Sequence, residues 1–146
     1  ENPFRFWIFV RRKMNRLQGH IEDIEVSGNL SIVTTRINPS IQLKAIVIET
    51  PETAPYLIQK GPINILFKET EVLISTHKNP SISLQNKIEG SILSIERGVL
   101  LSSILITTSI GEITSIISTE ALDNLGLKEG NTVYALVSLN EIMLSE

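Results

Sequence analysis

The chain contains no cysteine, which excludes disulfide frameworks, thiolate metal sites and cysteine nucleophiles and fits the cytosol. Histidine is nearly as scarce. His20 and His77 are the only two, and neither stands in a pattern resembling a nucleophile elbow or a zinc motif, so both read as surface residues. No G-x-x-x-x-G-K-[ST] phosphate loop occurs among the 8 glycines. Long apolar runs are absent as well. Nothing approaches the roughly 18 residues of a membrane span, and the stretch Phe6 to Val10 is shorter than the roughly 7–15 residues of a secretory signal core. Glu22 with Glu25, and Glu69 with Glu71, read as solvated strand faces rather than acid–base pairs. These absences leave no candidate catalytic residue and no direct cation ligand, and the expectation is a protein that is not an enzyme and has no membrane partner.

Charge is moderate, at 20% of residues with a net charge of −3. That balance argues against a surface built throughout for nucleic acid, which needs clustered Lys and Arg. The basic residues are nevertheless uneven, because Arg5, Arg11, Arg12, Lys13 and Arg16 crowd the first sixteen positions. Aromatics are few, at 5%, yet residues 1–11 hold the single Trp and three of the 4 Phe. This lead-in reads as a strand or linker whose apolar faces meet a partner subunit or another domain. The start at Glu1 reads as a possible domain boundary of a longer protein.

What the chain does have is a hydrophobic fraction of 42%, mostly Ile, Leu and Val, amid abundant Ser and Thr. That composition favours strands over helices. It also has an internal repeat. Ser83 to Gly98 reads S-L-Q-N-K-I-E-G-S-I-L-S-I-E-R-G, and Arg12 to Gly28 is a degenerate copy 71 positions earlier. Asn15 matches Asn86, Gly19 matches Gly90, Ile21 matches Ile92, Ile24 matches Ile95, and Glu25 matches Glu96. A small module written twice follows, over residues 12–75 and 82–146, with a polar Asn-Pro linker at 76–81.

Alternation and turn residues predict about five strands per module. In the first these are Gly19 to Glu25, Leu30 to Ile37, Gln42 to Ile48, Ile63 to Phe67 and Glu71 to Ser75. In the second they are Ile88 to Glu96, Leu100 to Thr107, Glu112 to Ile117, Thr132 to Val137 and Glu141 to Ser145. A short helix is predicted after the third strand of each. Thr50 and Pro51 start the first helix, and Ser118-Thr119-Glu120-Ala121 starts the second, with Gly126 or Gly130 ending it. The fold class is therefore mainly β: two tandem small barrels of the oligomer-binding type, each with one short helix. Ser and Thr caps at helix starts, where free N–H groups favour negative charge, make Thr50, Thr53, Ser118 and Thr119 anion-binding candidates.

The segments S83-L-Q-N-K-I-E-G90, S94-I-E-R-G98, I113-T-S-I-I-S-T-E-A-L-D-N-L-G-L-K-E-G130 and V137-S-L-N-E-I-M143 together resemble the molybdate-binding Mop or TOBE module. That family opens with S-A-R-N-Q-L-x-G and later carries I-S-x-x-A-x-x-L-G-L-x-x-G. The first module looks like a diverged copy, clearest in F67-K-E-T-E-V-L73, which is similar to the family's I-K-A-T-x-V. The resemblance spans about residues 12–145 and implies a di-Mop unit that binds molybdate or tungstate, without chemistry, at module or subunit interfaces. It also implies a homo-oligomer, dimer or trimer. Such units serve as intracellular carriers, as effector domains of molybdate-responsive transcription regulators, or as accessory domains of molybdate-importer ATPases. The tandem count and basic aromatic lead-in look most like the regulator's effector half. These residues hold no helix-turn-helix, so DNA would be contacted only through a domain not present here.

Residue by residue, the resemblance makes Ser83 and Asn86 match S-A-R-N, with Gln85 where the family has Arg. Asn15 alone matches in the first copy, where Arg12, Lys13 and Met14 fill the other places. Lys68 matches the family's anion-binding Lys, and Ser138 replaces it in the second copy. Thr50 and Thr53 match the cap pair, as Ser118 does in the second copy with Ala121 beside it. The expected site combines Thr50, Thr53 and Lys68 with Ser83, Gln85 and Asn86, or with Arg12 and Lys13, supplied across an interface. The competing expectation is a ligand-free oligomerisation scaffold.

Overall fold

The computed structural model describes residues 14–146, so the lead-in at 1–11 and the candidates Arg12 and Lys13 lie outside the described residues. Ten strands form two five-stranded antiparallel sheets. The first half supplies β1 (Met14–Ser27), β2 (Leu30–Asn38), β3 (Ile41–Val47), β4 (Pro62–Lys68) and β5 (Leu73–Ser75). The second supplies β6 (Asn86–Arg97), β7 (Leu101–Thr108), β8 (Gly111–Ser118), β9 (Thr132–Val137) and β10 (Met143–Ser145). One helix, α1 (Thr119–Leu125), follows β8.

The long strands β1 and β6 organise their sheets because each serves two neighbours. Residues 14–20 of β1 pair with β4 and residues 20–27 with β2, with a register shift at Ile21/Asp23 inside the β2 pairing, just past the end of the β4 pairing. The matching shift in β6 lies at Ile92/Ser94, 71 positions on. A bulge at this point bends the strand and lets one sheet curl towards a barrel. The bulge is pinned from the far side. Ile21 exchanges backbone hydrogen bonds with Lys60 and Gly61, at 2.7 and 2.9 Å, and Ile92 does the same with Gly130 and Asn131, at 2.8 and 3.0 Å.

The fifth strand of each sheet comes from the other half. The sheet orders are β10-β4-β1-β2-β3 and β5-β9-β6-β7-β8. Short 3-10 turns at Glu69–Glu71 and Leu139–Glu141 redirect the chain, and Val72 and Ile142 are buried at the two crossings. β5 then pairs Leu73 with Leu136, and β10 pairs Met143 with Leu66. The expected strands 71–75 and 141–145 are shortened by these turns, which take their first residues. Side chains from both halves form one continuous core, which includes Ile21, Val33, Ile65 and Phe67 with Ile92, Ile104, Ile106 and Val133.

The helix predicted at Thr50 does not form. Thr50 O accepts from Thr53 N and Ala54 N at 2.9 and 2.8 Å, and the chain then continues through turns to Gly61. Pro55 is the cause: it has no N–H for Pro51 O and it biases Ala54 away from the helical region. Ala54 and Leu57 still reach the core from these turns. Tyr56 anchors them by donating its hydroxyl to Glu49 Oε1 at 2.6 Å. In the second half the helix forms as expected. Ser118 Oγ caps Ala121 N at 3.0 Å, and Gly126, at φ 63°, closes the helix in the left-handed conformation.

Two tests follow from these features. A Cβ built on Gly90 would lie 2.7 Å from Thr107 O and 2.5 Å from Ile106 Cγ2, so Gly90→Ala should cost about 1–3 kcal/mol by overpacking. Urea unfolding should show that loss within a single transition, because each sheet needs strands from both halves. Burial, followed by the Glu49 hydrogen bond, pushes the Tyr56 phenol up from 10.0 to about 12. The folded protein favours the neutral phenol, so this contribution is complete below pH 10 and is lost as the pH rises towards about 12. Denaturant midpoints measured across that window should fall in the parent and fall less in Tyr56→Phe.

Candidate functional site

The first described residues of the β1 motif and its copy in β6 serve the seam between the halves. Asn15 is 6% exposed and Asn86 is 2% exposed. The Asn86 amide accepts from Lys44 N at 2.7 Å and donates to Lys44 O at 2.9 Å, on β3 of the first half. The Asn15 amide accepts from Thr114 N at 2.8 Å and donates to Thr114 O at 2.9 Å, on β8 of the second half. The strand registers make Lys44 and Thr114 equivalent positions of the two copies. Each carboxamide therefore stands in for a peptide unit on an edge strand, whose outward backbone groups would otherwise lack partners. Asn86, expected at the anion, is engaged here by both of its polar atoms. The signal was present in the sequence: Asn is the one residue of the S-A-R-N position that both copies keep.

Lys68 lies at the end of β4, directly opposite Met14 at the start of β1. Its side chain is exposed, and its ammonium makes no hydrogen bond or ion pair among the described residues. In the second half Asn86 lies opposite Val137, where the ladder begins, and Ser83 and Gln85 precede it outside the strand. Ser83 and Gln85 are exposed and carry no side-chain hydrogen bond among the described residues. Ser138 Oγ donates to Asn140 Oδ1.

The cap residues divide by availability. Thr53 Oγ1 accepts from Thr50 N at 2.9 Å and donates to Thr50 O at 3.2 Å, so that hydroxyl is used in both directions. Thr50 Oγ1 makes no hydrogen bond among the described residues. Ser118 Oγ caps α1. Thr119 is buried, donating to Gly98 O at 2.9 Å and sharing a 2.8 Å bond with Ser102 Oγ. Its role in this chain is to hold the β6–β7 turn against the start of α1.

The exchange of strands also crosses the groups that sequence placed together. The 3-10 turn after Lys68 lies against β8, which leads into Ser118, whereas the turn after Ser138 lies against β3, which leads into Thr50. The turn after Lys68 thus meets the second half, and the turn after Ser138 meets the first. The registers also place Ile48, not Thr50, at the strand position that Ser118 occupies in the second copy. Sequence missed this because the cap motif was aligned through a helix that the first half does not form.

Among the described residues no group of three or more His, Asp or Glu could hold a metal ion. The charged pairs are peripheral. Glu22 is held below its usual range by hydrogen bonds from Gln42 and Arg36, and Asp123 by the bidentate Arg97. No helix of the described residues is long and apolar enough to cross a membrane.

Residues 82–144 match the family described as the TOBE domain. Molybdenum-pterin-binding proteins 1 and 2 of Clostridium pasteurianum are 32% and 34% identical over 65 residues, which cover 44% of this chain and 96% of theirs. The molybdenum transport protein ModE of Herbaspirillum seropedicae is 26% identical over 133 residues, or 90% of this chain and 49% of that protein. A solved structure of the cytoplasmic molybdate-binding protein ModG shares the fold, with a TM-score of 0.81 over 90% of this chain and 94% of that one, at 24% identity. The tandem strand plan and the Clostridium relatives lead to one conclusion: the chain belongs to the Mop/TOBE family and carries two copies of its module in one polypeptide.

Proposed function

We propose that this protein binds molybdate or tungstate, without catalysing a reaction, and acts in the cytoplasm as a sensor or carrier of the oxyanion. The observation that carries this reading is Lys68: an exposed, unengaged ammonium opposite the start of the β1 motif and next to the seam between the halves. A tetrahedral dianion needs donors held in place before it arrives, and a charge-assisted bond from Lys supplies more affinity than a neutral donor. Arg12 and Lys13 precede Met14 in sequence and lie outside the described residues. Ser83 and Gln85 in the second half, and the Thr50 hydroxyl in the first, are polar groups with no side-chain hydrogen bond among the described residues. Similarity to the molybdenum-pterin-binding proteins, to ModE and to the molybdate-binding ModG supports the same ligand.

A homo-oligomer completes the proposal. Val99 and Leu100, at the β6–β7 turn, are 83% and 79% exposed, and Ile48 beyond β3 is 76% exposed. Apolar side chains left this open suit a second copy of the chain. Leu100 O accepts from Thr119 N at 2.8 Å, so a copy seated on this turn would lie beside Ser118. An anion bound between copies would favour the assembled form by its differential affinity.

The second reading is a ligand-free scaffold, either alone or as an accessory domain of a molybdate-importer ATPase. It is favoured by Gln85 in place of the family Arg, Ser138 in place of the family Lys, and the commitment of Asn86 to the seam.

Calorimetric titration separates the two. Lys68→Ala should weaken molybdate binding about tenfold or more, equivalent to about 1.4 kcal/mol, while sulfate produces little heat with either protein. Unchanged molybdate affinity in that variant would remove Lys68 from the site, and no heat in the parent would favour the scaffold. Replacing Val99 and Leu100 together by Ser should lower the sedimentation coefficient of the assembly with little loss of monomer stability.

A further inference from the structure

We propose that Asn15 is a positioning residue for the Lys68 anion position, and that anion binding and closure of the seam are coupled through its carboxamide. The inference rests on the oxyanion reading of Lys68 and goes beyond it by naming the element that fixes the lysine. Asn15 follows Met14, the residue opposite Lys68, and its own register partner is Phe67, which is fully buried. One carboxamide therefore links the β1–β4 ladder that carries Lys68 to Thr114 on the second half's edge strand. The turn that follows Lys68 lies against that same strand. Both supports of the lysine's backbone thus converge on β8.

Asn86 makes the same two bonds, to Lys44, in the half where Ser138 replaces the lysine. The chain therefore holds an internal control: two buried clasps of equal chemistry, of which only the Asn15 clasp adjoins the Lys68 position. If the clasps were structural and nothing more, removing either would have the same consequence for anion binding. If Asn15 positions Lys68, the consequences differ. Reciprocity then requires the anion to tighten the Asn15 clasp when bound.

The test compares Asn15→Leu with Asn86→Leu in the full chain, by molybdate calorimetry and by amide hydrogen exchange. Asn15→Leu should accelerate exchange at Thr114 and raise the molybdate Kd about tenfold. Asn86→Leu should accelerate exchange at Lys44 and leave the Kd within about twofold. In the parent, saturating molybdate should slow exchange at Thr114 more than at Lys44, and Lys68→Ala should abolish that difference. Equal shifts of Kd in the two Asn variants would overturn the inference, as would unchanged exchange at Thr114 in Asn15→Leu. Should either variant fail to fold, Asn15→Gln and Asn86→Gln repeat the comparison with the amide kept but displaced. No molybdate heat in the parent protein would instead defeat the oxyanion reading itself, and the coupling with it.

Discussion

An edge strand presents a row of backbone groups that water or another chain must satisfy, and this constraint shapes the whole molecule. β3 and β8 are sheet edges, and each is met by a carboxamide from the opposite half. β4 and β9 would be edges too, had the chain not crossed over to lay β10 and β5 beside them. The two halves thus satisfy one another's open backbone. The shared core is a consequence: side chains on exchanged strands, such as Ile74 and Leu144, lie against residues of the other half.

Much of this was legible in the sequence where local chemistry decides. The repeat, the strand runs and the capped helix at Ser118 all rest on spacing and turn residues, and they appear where expected. The match of Gly19 with Gly90 likewise has a local cause. A side chain at Gly19 would meet the Arg36 carbonyl oxygen, and one at Gly90 the Thr107 carbonyl oxygen. The exchange of strands was not legible, because three residues such as Leu73–Ser75 carry alternation but no address. Nothing in them says which sheet they will join. The first-half helix failed for a reason that was visible, since Pro55 follows Pro51 by one helical turn.

The candidate site was legible in part. Lys68, picked out by the resemblance, is exposed at the end of β4. Asn86 shows the limit of reading a motif as a single unit: neighbours in sequence alternate faces along a strand, so Gln85 is exposed while Asn86 is buried. Thr50 and Thr53 show another limit. They were aligned with Ser118 by their cap chemistry, yet the ladders place Ile48 there, and only three-dimensional register could reveal the offset.

The short segment between β5 and β6 carries a consequence of its own. Two separate copies of a module that trade their last strands must first meet in solution, and the free energy of that encounter depends on concentration. A short tether replaces the encounter with a fixed local concentration, so the exchange becomes a property of one molecule at any dilution. It also removes the obligation of identity. Partners made from a single gene must be alike, whereas fused partners can change separately. The two halves of this chain differ in that way: Lys68 stands opposite Met14 in one, and Ser138 follows Val137, opposite the buried Asn86, in the other.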